Sequence, residues 1–384
     1  MTTSIGIHDI AFATTHHVLA LDDLANATGV DPNKFKFGLG QEHMSIPAPD
    51  EDAVTLGAAA AKQVLDRHGS EGIRTVFFAT ESGVDQSKSA GVFAHGLLGL
   101  PRGVRVVEFK QACYSGTAAL QAAVGLVARN PQERVLVIAS DVARYAIDTP
   151  AEPTQGAGAV AMLVTADPAI AVVEPINGVA TIDVNDFWRP NDSSTPLVAG
   201  ALSVSAYLDA CVAAWDDYAA QGGVGVAEID RFVHHQPYTK MARKAHKAIA
   251  EHLGVDLGEE LIEESFIYNR QIGNTYTASA WIGLISLLHH NRELAGKRIG
   301  LFSYGSGSVG EFLTLAVQDD YRAALDVNAA VVGLDSRVQL TFSEYRDVYA
   351  GSVQGSADTV TPESGAAPFR LTGVVEGARQ YARV

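Results

Sequence analysis

The stretch QACYSGTAALQAAVGLV, residues 111–127, places a cysteine directly before an alanine-rich segment of helical composition. A second stretch, QIGNTYTASAWIGLISLL at residues 271–288, repeats this arrangement with Asn274 in the place of Cys113. Each stretch is followed by a strand-like run and then by a glycine-containing second strand. Cys113 precedes Asn274 by nearly the same number of residues as Arg134 precedes Arg298. This offset predicts a duplicated unit of one helix and its strands.

Strand-like and helix-like segments alternate along most of the remaining chain, which is typical of an α/β fold with layered sheets covered by helices. We predict two tightly packed halves, residues 1–167 and 168–384, because no long proline- or serine-rich linker separates them. The predicted strands are Arg74–Thr80, Val104–Lys110, Arg134–Ala139, Ala157–Val164, Ile229–His235, Ser265–Tyr268, Lys297–Tyr304, Glu311–Val317 and Phe369–Val375. The predicted helices are Ala53–His68, Ser115–Ala128, Ser203–Ala220, Lys240–Leu253 and Tyr276–His290.

Composition excludes several classes of protein. Hydrophobic residues make up 47% of the 384 residues and charged residues 19%, so the chain can bury a large core and is not disordered. The net charge of −16 argues against general binding to nucleic acids or anionic membranes. An anionic substrate would therefore need a local basic surface.

Two cysteines, Cys113 and Cys211, are too few for a disulfide framework or a cysteine zinc site. The first residues, Met1–Asp9, lack a basic segment followed by an apolar run, and no uncharged apolar stretch reaches the roughly 18 residues of a membrane helix. We expect a soluble, cytoplasmic protein without a membrane partner.

Cys113 is the first candidate for chemistry, because it lies at a predicted strand-to-helix turn. The free N–H groups and the dipole of the helix favour a thiolate there, and the same N–H groups could hold an oxyanion. The alternative is a buried structural cysteine. Cys211 lies inside a helix among apolar residues, and we interpret it as structural.

Two further candidates end predicted strands. Glu81, in ATESGVDQSKSAG, could act as a base with a raised pKa, or it could be an ordinary loop carboxylate. His234 and His235 are adjacent, so an alternating strand points only one ring into a cleft. Such a ring could polarise a carbonyl or pass a proton, and the alternative is a histidine satisfied in the core.

Asn274 could donate its amide to a substrate carbonyl or merely cap the helix that follows. The basic segment that contains Lys240, Arg243, Lys244 and Lys247 could dock phosphates or form a solvated helix face. GSGSVG at 305–310 matches a dinucleotide-binding pattern formally, but a strand-like run follows it instead of a helix. We predict that these glycines allow a close backbone approach or a tight hairpin.

Taken together, these residues resemble 3-hydroxy-3-methylglutaryl-coenzyme A (HMG-CoA) synthase, a family of thiolase-like condensing enzymes. The resemblance runs in order along nearly the whole chain and implies a layered αβαβα fold of two related halves, assembled as a homodimer. The matching segments are ATESGVDQSKSAG at Glu81, KQACYSGTAAL at Cys113, EPTQGAGAVAM at 152–162, DFWRP at 186–190, HQPYTKM at 235–241, GNTYTAS at 273–279, SYGSGSVGE at 303–311 and FRLTGVVEGARQY at 369–381.

The resemblance also implies the reaction and the roles of the site residues. Acetyl-CoA, acetoacetyl-CoA and water would give HMG-CoA and free CoA, with Cys113 as nucleophile and Glu81 as base. His235, chosen because it is followed by Gln-Pro-Tyr, and Asn274 would bind the acetoacetyl carbonyls. The N–H groups of Cys113 and Ser306 would form the oxyanion hole. The remaining residues implied to contact substrate are Tyr145, Thr154 and Phe187 at the acyl groups and Lys240 and Lys244 at the CoA phosphates.

Three hypotheses remain open on the sequence alone. The first is a synthase of the mevalonate (isoprenoid) pathway that uses CoA thioesters and needs no metal or other cofactor. The second is a polyketide β-branching relative, whose acetoacetyl acceptor is carried by an acyl carrier protein. The third is a thiolase-like scaffold subunit without catalysis, which the presence of Cys113, Glu81 and His235 disfavours.

Overall fold

The protein is described from a computed structural model, which covers residues 4–327, 333–365 and 367–384. The strands are β1 (Ile5–Thr14), β2 (His17–Ala20), β3 (His43–Ile46), β4 (Ile73–Ala79), β5 (Arg105–Phe109), β6 (Arg134–Ala143), β7 (Gly156–Ala166), β8 (Ala171–Thr181), β9 (Phe187–Trp188), β10 (Leu197–Val198), β11 (Arg231–His234), β12 (Arg298–Gly305), β13 (Val309–Val317), β14 (Val338–Gln339), β15 (Thr359–Val360), β16 (Phe369–Val375) and β17 (Ala378–Arg383). The helices that build the fold are α1 (Leu21–Thr28), α2 (Ala53–His68), α3 (Ala90–Leu98), α4 (Ser115–Arg129), α5 (Gly200–Ala220), α6 (Thr239–Leu253), α7 (Ile267–Ile272), α8 (Ser279–His290) and α9 (Phe342–Gly351).

The main sheet repeats one pattern of strand pairing in its two halves. Its nine strands run in the order β11-β12-β13-β8-β1-β7-β6-β4-β5. From β1 outward, the pairings are antiparallel to β7, antiparallel to β6 and parallel to β4. From β8 outward, they are antiparallel to β13, antiparallel to β12 and parallel to β11. The halves meet where β1 pairs with β8. The division at residue 167 stays a prediction.

Helices α4 and α8 lie between the two halves of the sheet. Every residue of α8 except His290 is buried, and α4 buries the face that contains Ala119, Leu120 and Ala123. The central hydrophobic core joins both helices to strands of both halves. Strand β7 is glycine- and alanine-rich and buried almost throughout, because helices cover both of its faces at close range.

Two outer layers complete the arrangement. Helices α2 and α3 pack on the first half, around a core that includes Phe78 and Leu136. Helices α5 and α6 pack on the second half, around a core that includes Trp215 and Phe312. The resulting order is helix, sheet, helix, sheet, helix, so the predicted layered α/β fold is confirmed.

The C-terminal segment adds two small structures outside the repeated unit. Helix α9 and the residue Leu340 before it pack against α1 and the antiparallel pair β2–β3, with Tyr345 at the centre of the contact. The β16–β17 hairpin, with β15 at its edge, packs on α2, where Asp52 accepts from Arg379 and Tyr381. Within the described part of the chain, no helix is both long and apolar enough to span a membrane.

Most predicted elements are confirmed within a few residues, and α2 and β16 match their predicted bounds. The predicted strand Ser265–Tyr268 is wrong: the segment is a 3₁₀ turn that runs into α7, held by a hydrogen bond from Ser265 Oγ to Ile262 O and packed on α8. The prediction for Met1–Asp9 includes residues 1–3, which lie outside the described residues.

The contact between β8 and α5 gives a test of the packing. A Cβ atom at Gly178 would lie 2.1 Å from both the Ala214 carbonyl oxygen and the Tyr218 nitrogen, and neither backbone atom can move freely. We expect Gly178→Ala to lower the free energy of unfolding by about 1–3 kcal/mol or more, measured from urea midpoints.

Gly96→Ala is the matched control, because Gly96 lies in α3 with no atom within 4 Å of an added Cβ. Helix propensity predicts a gain of roughly 0.5–1 kcal/mol there. Equal midpoints for Gly178→Ala and the wild type would contradict the close approach of β8 and α5.

Candidate active site

A cavity of about 610 Å³ opens between the two halves of the sheet. Most of its wall is apolar, and polar groups face one another at its inner end. Of the residues predicted from the sequence, seven line it: Cys113, Tyr145, Thr154, Phe187, His235, Asn274 and Ser306. Glu81 contacts Cys113 at this inner end. Residues far apart in the sequence are therefore brought to one place.

Cys113 lies in the turn between β5 and α4, two residues before the helix begins. Ala112, just before it, adopts a positive φ of 43°, a conformation that non-glycine residues adopt rarely. Ser115 holds this turn by accepting the Gln111 N–H and donating to the Ala112 carbonyl at 2.9 Å. A Cβ at Gly305 would lie 2.4 Å from the Gln111 carbonyl oxygen. The glycine predicted to permit close approach thus packs against the backbone of the cysteine turn.

The Cys113 thiol and the Glu81 carboxyl form a hydrogen-bonded pair at the inner end of the cavity. Cys113 Sγ donates to Glu81 Oε2 at 3.6 Å. Burial, together with the nearby charge of Asp141, raises the pKa of Glu81 to about 8. Burial and the Glu81 charge also raise the pKa of the Cys113 thiol well above its ordinary value. Burial and the adjacent carboxylate thus oppose the effect of the helix N-terminus, which the sequence predicted to favour the thiolate.

Asp141 is a fully buried carboxylate that the sequence did not identify. Its Oδ1 accepts from the hydroxyls of Thr80 and Ser82 and from the N–H groups of Glu81 and Ser82, at 2.6–2.9 Å. Its Oδ2 accepts from the N–H and the hydroxyl of Thr277. The only sequence signal was an acidic residue just after the predicted strand Arg134–Ala139. Asp141 fixes the backbone of Glu81 and joins it to the second half.

His235 and His234 point in different directions, as alternation along a strand requires. His235 follows β11 and lines the cavity, with its N–H donating to Phe302 O at 2.8 Å and its carbonyl accepting from Tyr207 at 2.7 Å. Burial lowers the pKa of the His235 imidazole to about 3, so the ring is neutral at neutral pH. His234 lies on the other side, against His246 of α6.

Asn274 lines the cavity and holds the turn before α8, but it is not the N-cap residue of that helix, and its donation to a substrate carbonyl stays a prediction. Its Oδ1 accepts the Tyr276 N–H at 2.9 Å, which holds the turn before α8, and its Nδ2 donates to Tyr145 OH at 3.4 Å. The rings of Tyr145, Phe187 and Tyr276 meet edge to face with centroids 6.0–6.3 Å apart. These three rings and Thr154 bound the space beside Cys113. Tyr276 was quoted within a motif but not predicted as a site residue.

The loop that contains Ser306 is held by Asp186, another fully buried carboxylate. Asp186 Oδ1 accepts the Gly307 N–H at 2.9 Å, and its Oδ2 accepts from Tyr304 OH at 2.7 Å. Gln111 Nε2 donates to the Ser306 carbonyl at 3.1 Å, which ties this loop to the cysteine turn. Arg189, three residues beyond Asp186, donates to the Glu81 carbonyl. Only Phe187 of the DFWRP motif was predicted as a site residue. Asp186 and Arg189 of the same motif also hold the site, through the Ser306 loop and through the Glu81 carbonyl.

Two of the four basic side chains in this segment of α6 are neutralised by nearby glutamates. Arg243 pairs with Glu259 and Glu263, and Lys247 pairs with Glu251. Lys240 Nζ donates to the Phe37 carbonyl at 3.1 Å, close to the cavity-lining Leu39, and Lys244 lies one turn further along. Lys240 and Lys244 thus form no ion pair with a described carboxylate. Within the described residues, no group of three histidine, cysteine or acidic side chains could hold a metal ion.

Comparison with known proteins agrees with this geometry. Residues 1–169 match the model of the hydroxymethylglutaryl-coenzyme A synthase N-terminal domain, and residues 250–354 match that of the C-terminal domain. The chain is 41% identical to hydroxymethylglutaryl-CoA synthase of Enterococcus faecalis, over 92% of this chain and 94% of that protein. It is 32% identical to the polyketide biosynthesis 3-hydroxy-3-methylglutaryl-ACP synthase PksG of Bacillus subtilis, over 86% and 84% of the two chains.

A crystal structure of an HMG-CoA synthase complexed with CoA superposes with a TM-score of 0.94 at 39% identity, covering 99% of this chain and 100% of the other. The fold, the ordered motifs and these matches agree over the whole length. The chain therefore belongs to the hydroxymethylglutaryl-coenzyme A synthase family, the thiolase-like condensing enzymes that its sequence resembles.

Proposed function

We propose that this protein condenses acetyl-CoA with acetoacetyl-CoA and water to give HMG-CoA and CoA. The observation that carries the proposal is the pairing of Cys113 Sγ with Glu81 Oε2, in a cavity that His235 and Asn274 also line. Covalent acyl transfer needs the thiol, and carbon–carbon bond formation needs a base beside the acyl group. No metal or organic cofactor is needed for either step.

Cys113 acts first. Its sulfur attacks the acetyl-CoA carbonyl, the bond from carbon to the CoA sulfur breaks, and the thiol proton leaves with CoA. The acetyl group then lies beside the rings of Tyr145, Phe187 and Tyr276. The N–H groups of Cys113 and Ser306 stabilise the oxyanion that forms at this carbonyl.

Glu81 acts second. Its carboxylate takes a proton from the acetyl methyl group, and the resulting enolate attacks the ketone of acetoacetyl-CoA. His235 and Asn274 hold that acceptor by hydrogen bonds. Burial keeps the His235 imidazole uncharged, so it binds the acceptor as a neutral ring. Protonated Glu81 returns its proton to the new alkoxide. Water then cleaves the acyl–Cys113 bond, which releases HMG-CoA and restores the thiol.

The carrier of the acceptor distinguishes two versions of this function. CoA is supported by the higher identity to a CoA enzyme than to the carrier-protein synthase PksG, and by Lys240 and Lys244 beside the cavity. The chemistry on an acetoacetyl acyl carrier protein would be the same, so turnover measured on both acceptors separates them. We further propose a cytoplasmic homodimer in the mevalonate pathway, on the strength of the family resemblance.

Removing Glu81 should separate the two half-reactions. Glu81→Ala should still form acetyl-Cys113, because the lost charge is one of the factors that raise the pKa of the thiol. Condensation should fall by about 10²–10⁴-fold, the usual contribution of a positioned base. Intact-mass measurement after addition of acetyl-CoA follows the first step, and HMG-CoA formation follows the second.

Cys113→Ala and Cys211→Ala are the controls for that experiment, because both cysteines are buried and only Cys113 lines the cavity. The first should gain no acetyl group, and the second should behave as the wild type. A folded Glu81→Ala variant that cannot be acetylated would reverse the proposed order of roles.

The pH dependence of condensation follows from the raised pKa of Glu81. The base is active as the carboxylate, so the rate from pre-acetylated enzyme should increase with pH and level off above pH about 8. Acetylation blocks the thiol, which therefore adds no ionisation of its own. A rate that is flat or falls between about pH 6 and 9 would contradict Glu81 as the base.

Charge reversal on α6 tests the site for the CoA phosphates. Lys240→Glu and Lys244→Glu should each raise the KM for CoA thioesters by roughly tenfold, with kcat less affected, because both side chains lie outside the reacting groups. Lys62→Glu makes the same charge change on α2, where Lys62 pairs only with Asp66, and should leave KM unchanged. An unchanged KM in all three variants would contradict a CoA-phosphate site on α6 and show an ordinary solvated helix face.

A further inference from the structure

A buried pair of histidines links the end of β11 to α6. His234 Nε2 lies 3.3 Å from His246 Nδ1, and both residues are almost completely buried. The ring of His234 stacks on Phe232, and the ring of His246 meets the same phenylalanine edge to face at 5.1 Å. These apolar surroundings would accept two apolar side chains without any cost of desolvation.

The contact between His246 and the Gly258 carbonyl decides which ring nitrogen donates and which accepts in this pair. His246 Nε2 lies 3.3 Å from the Gly258 carbonyl oxygen, which can only accept, so Nε2 bears the proton. Burial lowers the pKa of both rings, so each is neutral and His246 Nδ1 is an acceptor. His234 Nε2–H therefore donates to it. His234 Nδ1 is then a buried acceptor with no hydrogen-bond partner among the described residues.

An unpartnered buried nitrogen makes this pair a poor source of stability. Replacing a buried polar pair by well-packed apolar residues is often neutral or stabilising, whereas removing one member leaves the other without its partner. What the pair supplies is a directional contact, which apolar packing cannot supply. It is the only side-chain hydrogen bond between β11 and α6 in the described part of the chain.

The histidine pair connects two parts of the cavity wall, the strand end before His235 and helix α6. His234 immediately precedes His235, whose N–H and carbonyl are bound to Phe302 and Tyr207. His246 lies on the same helix as Met241, which lines the cavity, and as Lys240 and Lys244. One end of the contact therefore adjoins the acceptor-binding imidazole, and the other belongs to the helix beside the CoA path.

We propose that His234 and His246 are positioning residues that hold α6 in register with the strand end preceding His235. A CoA thioester bound along α6 then presents its acyl group at a fixed distance from the His235 ring. This inference rests on the proposed function, because it assigns the CoA path to α6.

His246→Leu is the direct test. The variant removes the acceptor and frees α6 to shift against β11, so KM for acetoacetyl-CoA should rise and kcat should fall, each by about fivefold or more. His246→Asn keeps an acceptor near the position of Nδ1 and should retain both constants within about twofold. His289→Asn is the control, because His289 is also buried and hydrogen-bonded, to Tyr268 on the far side of α8. It should change the melting temperature at most.

The double variant His234→Phe/His246→Leu separates positioning from stability, and it remains informative if His246→Leu does not fold. With both polar groups removed, the melting temperature should return to that of the wild type, while the losses in KM and kcat persist. Recovery of both kinetic constants together with the melting temperature would show a purely structural pair and overturn the inference. So would a folded His246→Leu variant with wild-type KM and kcat. A wild-type protein that does not condense the two CoA thioesters would instead overturn the proposed function.

Discussion

The carboxylate of Asp141 is the contact on which the active site depends. It is fully buried, has no cationic partner among its hydrogen bonds, and accepts six hydrogen bonds from Thr80, Glu81, Ser82 and Thr277. A buried charge of this kind is tolerated only when its lone pairs are satisfied, so the donors are held in place as firmly as the acceptor. Because they come from both halves of the chain, one side chain fixes Glu81 relative to Thr277, which lies just before α8.

The same burial sets the chemistry of the cavity. It raises the pKa values of Cys113 and Glu81 and lowers that of His235, so burial favours the uncharged form of each of these three groups, although the protein has a net charge of −16. The site that we propose for the anionic phosphates is α6, where Arg243 and Lys247 pair with glutamates and Lys240 and Lys244 form no ion pair with a described carboxylate. The side chains proposed to bind the CoA phosphates are therefore separate from those proposed to react with the acyl groups.

The alternation of strand-like and helix-like segments was sufficient to predict a layered α/β fold. The group of residues at the cavity was predicted from the ordered motifs that resemble the family, not from apolar spacing. The sequence did not indicate β1, whose alternation is irregular, or β8, which Pro175 and Gly178 interrupt. Asp141 was missed because its donors come from separate segments of the chain and no local pattern encodes them. The partners of Arg243 were likewise invisible, since Glu259 and Glu263 reach it only in the folded protein. The sequence showed the helix terminus that favours a thiolate but not the opposing effect of burial, because desolvation depends on the surrounding fold.

The central claim is that one acetyl group passes through Cys113 into a new carbon–carbon bond. The most direct measurement is a chase: wild-type protein acetylated with isotopically labelled acetyl-CoA, freed of excess reagent, and then mixed with unlabelled acetoacetyl-CoA. The account predicts that the label leaves Cys113 and appears in HMG-CoA within a single turnover. Label that remains on the protein, or that appears only as free acetate while acetoacetyl-CoA is unchanged, would contradict it.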